Sequence, residues 1–194
     1  MRSPSMMSKY AGLKMIEEYG LPHPNWRFFT SPSELQKQPW TEAPHGWTIR
    51  CAPTLQYSFA LPSRHCLPFD QVGDTRKKMV DNTKVDMFVV YPSWKFDISG
   101  GLLLDGPLAH LEVVRGDIAG LLRGSRSPDA SFSYSIGLLG GWICVQGHED
   151  ILSQSDRALF INAVRILSSE DRLLLEWTKT SEGGILFHDC VKFG

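Results

Sequence analysis

The chain has 194 residues, of which 42% are hydrophobic and 21% charged, with a formal net charge of −1. That length suffices for one domain or two small lobes with a buried core. The near-zero charge leaves no global field to favour nucleic acid or an anionic membrane, and no run of about 20 apolar residues offers a membrane span.

Residues 1–8 carry Arg2 but no apolar stretch of the kind a secretion signal needs. The four cysteines, at 51, 66, 144 and 190, show no CxxC spacing, which speaks against a structural zinc site. The expectation is a cytoplasmic protein with reduced, mostly buried thiols.

In chain order, apolar residues at Tyr10, Leu13, Met15, Ile16 and Tyr19 approximate helical spacing over residues 8–19, with Gly20 as a stop. Leu21-Pro22-His23-Pro24 is forced extended, because each proline biases its predecessor away from the helix. Residues 26–30 read as a short strand. Ser31-Pro32-Ser33-Glu34 opens a short helix over 31–38, with an N-cap, a first-turn proline and an acid. Residues 46–51 are a β-rich run, 52–68 a turn-rich stretch, and 72–82 a helix in which Arg76-Lys77-Lys78 is a solvated face. Strands are expected at 85–91, 101–104, 108–114 and 131–136. Residues 155–167 form an amphipathic helix, with Leu159, Phe160, Ala163, Val164 and Leu167 on one face. Residues 173–178 and 184–188 form a hairpin around Ser181-Glu182-Gly183. The pattern is α+β and strand-rich in the middle, with no internal repeat and no low-complexity tract.

Several segments, in order, resemble one enzyme family. Residues 8–14, carrying Lys9 and Lys14 and leading to Tyr19-Gly20-Leu21-Pro22-His23-Pro24, look like the opening of an ATP-grasp domain. There a lysine-bearing helix leads into G-[IL]-P-x-P and a strand. Trp47-Thr48-Ile49-Arg50-Cys51-Ala52 is similar to the "aVRSSa" strand end in the nucleotide domain of phosphoenolpyruvate synthase and pyruvate phosphate dikinase. Met87-Phe88-Val89-Val90-Tyr91, followed by Ser99-Gly100, resembles "vvVQkMv…aG". Glu112-Val113-Val114-Arg115-Gly116, continuing to Gly124 and Pro128-Asp129, resembles "iE…GLGExvVxGxxxPD". Leu174-Leu175-Glu176-Trp177, followed by Phe187-His188-Asp189, resembles "DiEWa…lyilQaRP". The resemblance covers nearly the whole chain, and order and spacing carry it, since no single motif is specific.

It implies an ATP-grasp-like, two-lobed α+β unit with mixed or antiparallel sheets and a few flanking helices. The N-terminal lobe would be 1–86 and the C-terminal lobe 87–194. It further implies ATP and Mg2+, with Arg50 meeting the phosphates in a catalytic role and Glu176 with Asp189 holding the metal. The departures are specific. Cys51-Ala52 replaces the serine pair, Leu174 the aspartate before the metal glutamate, Ala119 the acid of "GLGE", and Val191 the arginine of "QaRP". The family's phosphohistidine domain and pyruvate-binding barrel are expected to be absent, which removes full dikinase chemistry.

The residues themselves carry both readings. A guanidinium at a strand end forks onto phosphate oxygens, yet Arg50 also suits a surface salt bridge. Lys14 reaches a phosphate as a point charge, or is a solvated helix lysine. Glu112 binds a ribose hydroxyl or an ammonium, or pairs with Arg115. Tyr91-Pro92-Ser93-Trp94 falls where the resemblance implies the adenine-holding hinge of ATP-grasp folds, with Tyr91 and Ser93 against the nucleotide and an aromatic pair able to stack on a base, or it is a strand exit packed into the core. Glu176 and Asp189, on adjacent strands of the hairpin, share one ion, or are surface acids near Lys179 or Lys192. His188 neighbours Asp189, but strict alternation sets the two on opposite faces. A Cys190–His188 thiol pair lacks an oxyanion motif.

The first functional reading is an ATP- and Mg2+-binding module, a minimal phosphotransferase or ligase, acting alone, as a homo-oligomer or with a partner protein. The alternative is a degenerate, non-catalytic binding or assembly module acting with a partner protein. A third, an RNA-binding α+β domain using exposed tryptophans, conflicts with the neutral charge.

Overall fold

The structure, a computed structural model, describes residues 7–31, 33–34, 43–55, 61–83, 85, 87–122, 124–136, 141–170, 172–182 and 184–193. Two compact units account for them. The first contains Ser8–Ala11 and Pro24–Lys95, and the second contains Gly12–His23 and Phe96–Gly194. The helix Lys9–Glu18 (α1) contributes to both. No helix among the described residues is long and apolar enough to cross a membrane.

The first unit is built on four antiparallel strands, Arg27–Phe29 (β1), Trp47–Cys51 (β2), Ser63–Leu67 (β3) and Phe88–Pro92 (β4), in the order β1-β4-β2-β3. Alternation in β2 turns Trp47, Ile49 and Cys51 to one face. There they meet Phe29, Phe88 and Val90, with Val72 and Met79 of the helix Phe69–Thr83 (α2). The opposite face carries Thr48 and Arg50. Phe28, opposite Val89, lies there too, with the Tyr10 ring at 4.9 Å. Because β4 pairs inside this sheet, the first unit runs to Lys95, whereas the sequence reading divided the lobes between 86 and 87.

Two local expectations shift, and a third lies partly outside the described residues. Helix α2 starts at Phe69, a turn earlier than its apolar spacing indicates. The stretch read as turn-rich contains β3, a polar edge strand that hides no apolar face and so shows no alternation. Of the helix expected over 31–38, residues 32 and 35–38 lie outside the described residues. Its start is as expected, with Ser31 Oγ accepting from Glu34 N at 3.3 Å and the Glu34 carboxylate accepting from Ser31 N at 3.3 Å, a capping box.

The second unit is one antiparallel sheet of six strands. These are Phe96–Asp105 (β5), Leu108–Arg115 (β6), Ala130–Ser135 (β7), Ile143–Gly147 (β8), Arg172–Thr180 (β9) and Ile185–Lys192 (β10), in the order β10-β9-β5-β6-β7-β8. One face is apolar and covered by the helix Gln154–Ile166 (α4); a four-residue helix, Ala119–Leu122 (α3), lies in the loop after β6. Phe160 of α4 meets Trp177 edge-on at 4.7 Å and Phe187 at 6.1 Å. A capping box starts α4, with Ser153 Oγ accepting from Asp156 N and Asp156 accepting from Ser153 N. Burial pushes the Asp156 carboxyl up, but hydrogen bonds from Lys179 and Ser153, with the Lys179 charge, outweigh it and hold the group below its ordinary value. That pair ties α4 to β9.

Strand β8 was missed in the sequence. It is an edge strand whose Ile143 and Val145 are exposed, so its apolar residues point at no core. None of the four cysteines forms a disulfide. Cys51 and Cys190 are buried, but Cys66 is exposed and Cys144 intermediate, so burial of the thiols is only half as expected.

Candidate functional site

The face of the second sheet opposite α4 carries the sequence-expected acids. Register places Asp189 opposite Glu176, Glu176 opposite Gly101, Gly101 opposite Glu112 and Glu112 opposite Ser131. Directly paired residues share a face, so Asp189, Glu176 and Glu112 stand in one row across β10, β9, β5 and β6. Adjacent strands lie roughly 5 Å apart. Glu176 and Asp189 are therefore near neighbours, while Glu112, two strands on, addresses a different part of any ligand. Gly101 between them leaves the row open. A depression of about 330 Å³ there is lined by Gly101, His110, Glu112, Ser131, Val145 and Leu174, among others.

The surroundings of these acids differ. Asp189 is 3% exposed and is no surface acid. Lys179 pairs with Asp156, and Lys192 pairs with Glu170. Arg115 lies on the other face of β6 from Glu112. Its amide donates to Asp129 Oδ2 at 2.6 Å and its carbonyl accepts from Arg126, whose guanidinium also holds Asp129. These bonds close the loop after β6, in which Gly116 and Gly124 adopt φ of +79° and +65°, values that favour glycine.

Strict alternation fails on β10. Register slips between Phe187 and Asp189, a β-bulge with His188 as the extra residue. Phe187 keeps to the core face opposite Trp177, and Asp189 takes the Glu176 face. The bulge also brings His188 to that face, against the expectation that it would lie opposite Asp189. His188 Nε2 is 2.9 Å from Thr178 Oγ1, which is 3.3 Å from Ser99 Oγ, and both hydroxyls are fully buried. His188 Nδ1 is 4.0 Å from Glu176 Oε2. Asp189 Oδ1 accepts from Cys190 N at 2.9 Å. Cys190 itself faces the core opposite Leu175, with Met15 Sδ at 3.8 Å, so it shares no face with His188. Among the described residues, no three His, Cys, Asp or Glu side chains gather as a set able to hold a metal ion.

In the first unit, Arg50 and Tyr91 lie on one face, because Arg50 pairs with Val89 and Thr48 with Tyr91. Tyr91 is buried and stacks on Trp94 at 5.4 Å. The Ser93 hydroxyl is 2.8 Å from Thr48 Oγ1 and accepts from Cys66 N at 3.0 Å, and its amide donates to Gly46 O. Ser93 thus fastens β3 to β2, and its carbonyl is what it has left to offer a ligand. In the second unit, Lys14 pairs with Glu17 one turn along α1. Of the described tryptophans, Trp26, Trp47, Trp142 and Trp177 are buried and Trp94 is partly buried.

The architecture matches solved structures along almost its full length. The acetyl-coenzyme A synthetase 1 of Ca. Korarchaeum cryptofilum, in complex with coenzyme A and Ca-AMPCP, superposes with a TM-score of 0.65 at 14% identity, over 97% of this chain and 93% of that one. The fold is ATP-grasp-like. The D-alanyl-alanine synthetase A of Vibrio cholerae gives 0.55 at 13% identity, over 92% of this chain and 53% of its own. An N5-carboxyaminoimidazole ribonucleotide synthetase in its ADP complex gives 0.57 at 13%, over 96% and 44%. The chain thus spans about half of these latter two enzymes. No protein-family model and no curated protein sequence matches it.

Proposed function

We propose that this chain binds ATP with a divalent ion and acts as a cytoplasmic ATP-grasp-like phosphotransferase or ligase module. The observation that carries the reading is the cross-strand row Asp189–Glu176–Gly101–Glu112 on the open face of the second sheet. Support from the comparisons is that the Korarchaeum neighbour is a complex with Ca-AMPCP and the carboxyaminoimidazole synthetase a complex with ADP.

Phosphoryl transfer needs positioning and charge neutralisation more than covalent chemistry. Glu176, with Asp189 beside it, would hold the ion. When bound, the ion neutralises phosphate charge. Glu112 fixes the sugar or base side through the depression next to it. Arg50 forks onto phosphate oxygens, Lys14 adds a point charge once released from Glu17, and Tyr91 with the Ser93 carbonyl lines the adenine. The finer placement, in the phosphoenolpyruvate synthase and pyruvate phosphate dikinase branch, rests on the order and spacing of the sequence motifs. A second copy or another protein supplies what the substitutions at Cys51, Leu174, Ala119 and Val191 remove. Neither nucleic acid nor membrane is among the partners of this reading.

Titration calorimetry with ATP, with and without Mg2+, tests the reading on the wild type and on Glu176→Ala. Mg2+-dependent binding that the variant loses is the expected result. Wild-type affinity in the variant, or no binding at all, would overturn it. The second reading, a non-catalytic module acting with a partner protein, is favoured by the Lys14–Glu17 pair and by Leu174 and Val191 at positions the family fills with charge. It leaves nucleotide bound but never turned over.

A further inference from the structure

We propose that β8 is a docking edge for a second copy of this chain, and that the two β8 strands join across a two-fold axis as an antiparallel pair centred on Cys144. It stands on the second sheet alone, whatever the chain binds.

The two edges of that sheet differ. At β10 the outer edge is covered, with Phe187 N donating to Pro22 O at 2.8 Å and Met7 N to Lys192 O at 3.4 Å. At β8 the only strand partner among the described residues is β7. An open edge presents a row of unpaired N–H and C=O groups, and another strand is what satisfies them. Proteins guard such edges with charge, proline or a bulge. Ile143-Cys144-Val145-Gln146-Gly147 has neither charge nor proline. It does have a bulge, since register slips between Ser131 and Phe132 and leaves Val145 as the extra residue. Alternation nevertheless holds from Ile143 to Val145. Ile143 pairs with Ser133 on the open face, Cys144 pairs with Phe132 on the core face, and Val145 lines the open-face depression. The strand is also firmly held. The Trp142 ring, just before it, lies 5.3 Å from that of Tyr134, and its Nε1 donates to Arg157 O of α4 at 3.2 Å.

The residues select self-pairing. Ile143 is 70% and Val145 68% exposed. With the axis at Cys144, Ile143 stands opposite Val145 of the second copy, and Val145 opposite Ile143 of the second copy. Each exposed apolar side chain then gains an apolar neighbour on its own face, the kind of cross-strand pair that stabilises a sheet. An axis at Val145 would instead set Ile143 opposite glycine. No charge on β8 meets its own copy across the axis, and a net charge of −1 adds little repulsion between chains. Because Val145 lines the depression beside Glu112, Ile143 of the second copy, roughly 5 Å away, lengthens that wall. A contact this short falls in the weak, reversible class of interfaces.

The full chain carries its own reporter. Directly opposed residues on antiparallel strands have Cα atoms roughly 4.5–5.5 Å apart, within disulfide reach. Cys66 is exposed, and Cys51 and Cys190 are buried. Copper-phenanthroline oxidation of Cys66→Ser is therefore expected to give a covalent dimer, which adding Cys144→Ser abolishes. Without oxidant, sedimentation velocity should show a mean mass that rises with concentration. Ile143→Lys, at an exposed position that leaves the fold intact by circular dichroism, should weaken self-association roughly tenfold and suppress the cross-link. Ile143→Val should stay within about threefold of the wild type. A chain that is monomeric at every concentration and forms no Cys144 cross-link overturns the proposal, and leaves the edge to a strand of another protein. Self-association without a Cys144 cross-link, or a cross-link that Ile143→Lys does not weaken, overturns it as well.

Discussion

Two adjacent glycines on β5 face opposite sides of the second sheet, and their replacement by alanine should have unequal consequences. Ordinarily Gly→Ala in a strand gains about 0.5–1 kcal/mol by restricting the unfolded chain. At Gly100 a Cβ would overlap the Glu112 carbonyl oxygen across the ladder and stand 2.6 and 2.9 Å from carbons of the Trp177 indole. The first obstacle is backbone and the second a fully buried ring packed on Phe160, so neither yields cheaply. Overpacking of this kind costs about 1–3 kcal/mol, and a strained ladder bond about 1 more. Net of that ordinary gain, Gly100→Ala should therefore lose about 1–3.5 kcal/mol, and at about 2–4 °C per kcal/mol its Tm should fall by roughly 2–14 °C. At Gly101 a Cβ meets only Leu174 Cδ1, at 3.3 Å, the end of a flexible side chain. Gly101→Ala should stay within about 0.5 kcal/mol of the wild type. Thermal and urea unfolding, followed by circular dichroism and tryptophan emission, give both values. A Gly100→Ala Tm within about 2 °C of the wild type, or an equal loss at Gly101, would refute the close approach of β5, β6 and Trp177.

Ser153→Ala removes the hydroxyl that accepts from Asp156 N at 3.1 Å and should lower stability by about 1 kcal/mol in the same unfolding assay. Asp156 has its pKa lowered in the folded state, so the stability it contributes is present above the unfolded value near about 4 and is lost as pH falls through the folded value. Urea midpoints compared between wild type and Asp156→Asn should differ at neutral pH and converge on acidification below about pH 4. A gap that stays constant down to low pH would show that the Lys179 contact does not depend on the carboxylate charge.

Most of the fold was legible because most elements obey one period. Alternation in β2 and the apolar stripe of α4 announced themselves, and Ser31 and Glu34 stand at one helix start as their residue types indicate. What escaped notice had no buried face to report. Strand β3 is polar and at an edge, and β8 exposes Ile143 and Val145. The lobe boundary was placed too early because an apolar strand carries no mark of which sheet it joins, and only pairing with β1 and β2 assigns β4 to the first.

The candidate site was legible only in part, and a single residue explains the difference. Glu112, Glu176 and Asp189 came from the resemblance, and register sets them in one row with Gly101 as the gap. His188 was set aside because period-two geometry sends neighbours to opposite faces. A bulge is the local event that breaks that rule. It places two consecutive polar residues on one face while Phe187 and Cys190, on either side, both keep to the core. The sequence does carry a trace of it. Phe187 and Cys190 are three apart, an odd separation that a regular strand cannot put on one face, so burying both demands an extra residue between them. The same argument gives the bulge its consequence for chemistry. Without it, either Asp189 would leave the Glu176 row or Cys190 would leave the core, and the ring held by Thr178 would not reach the glutamate.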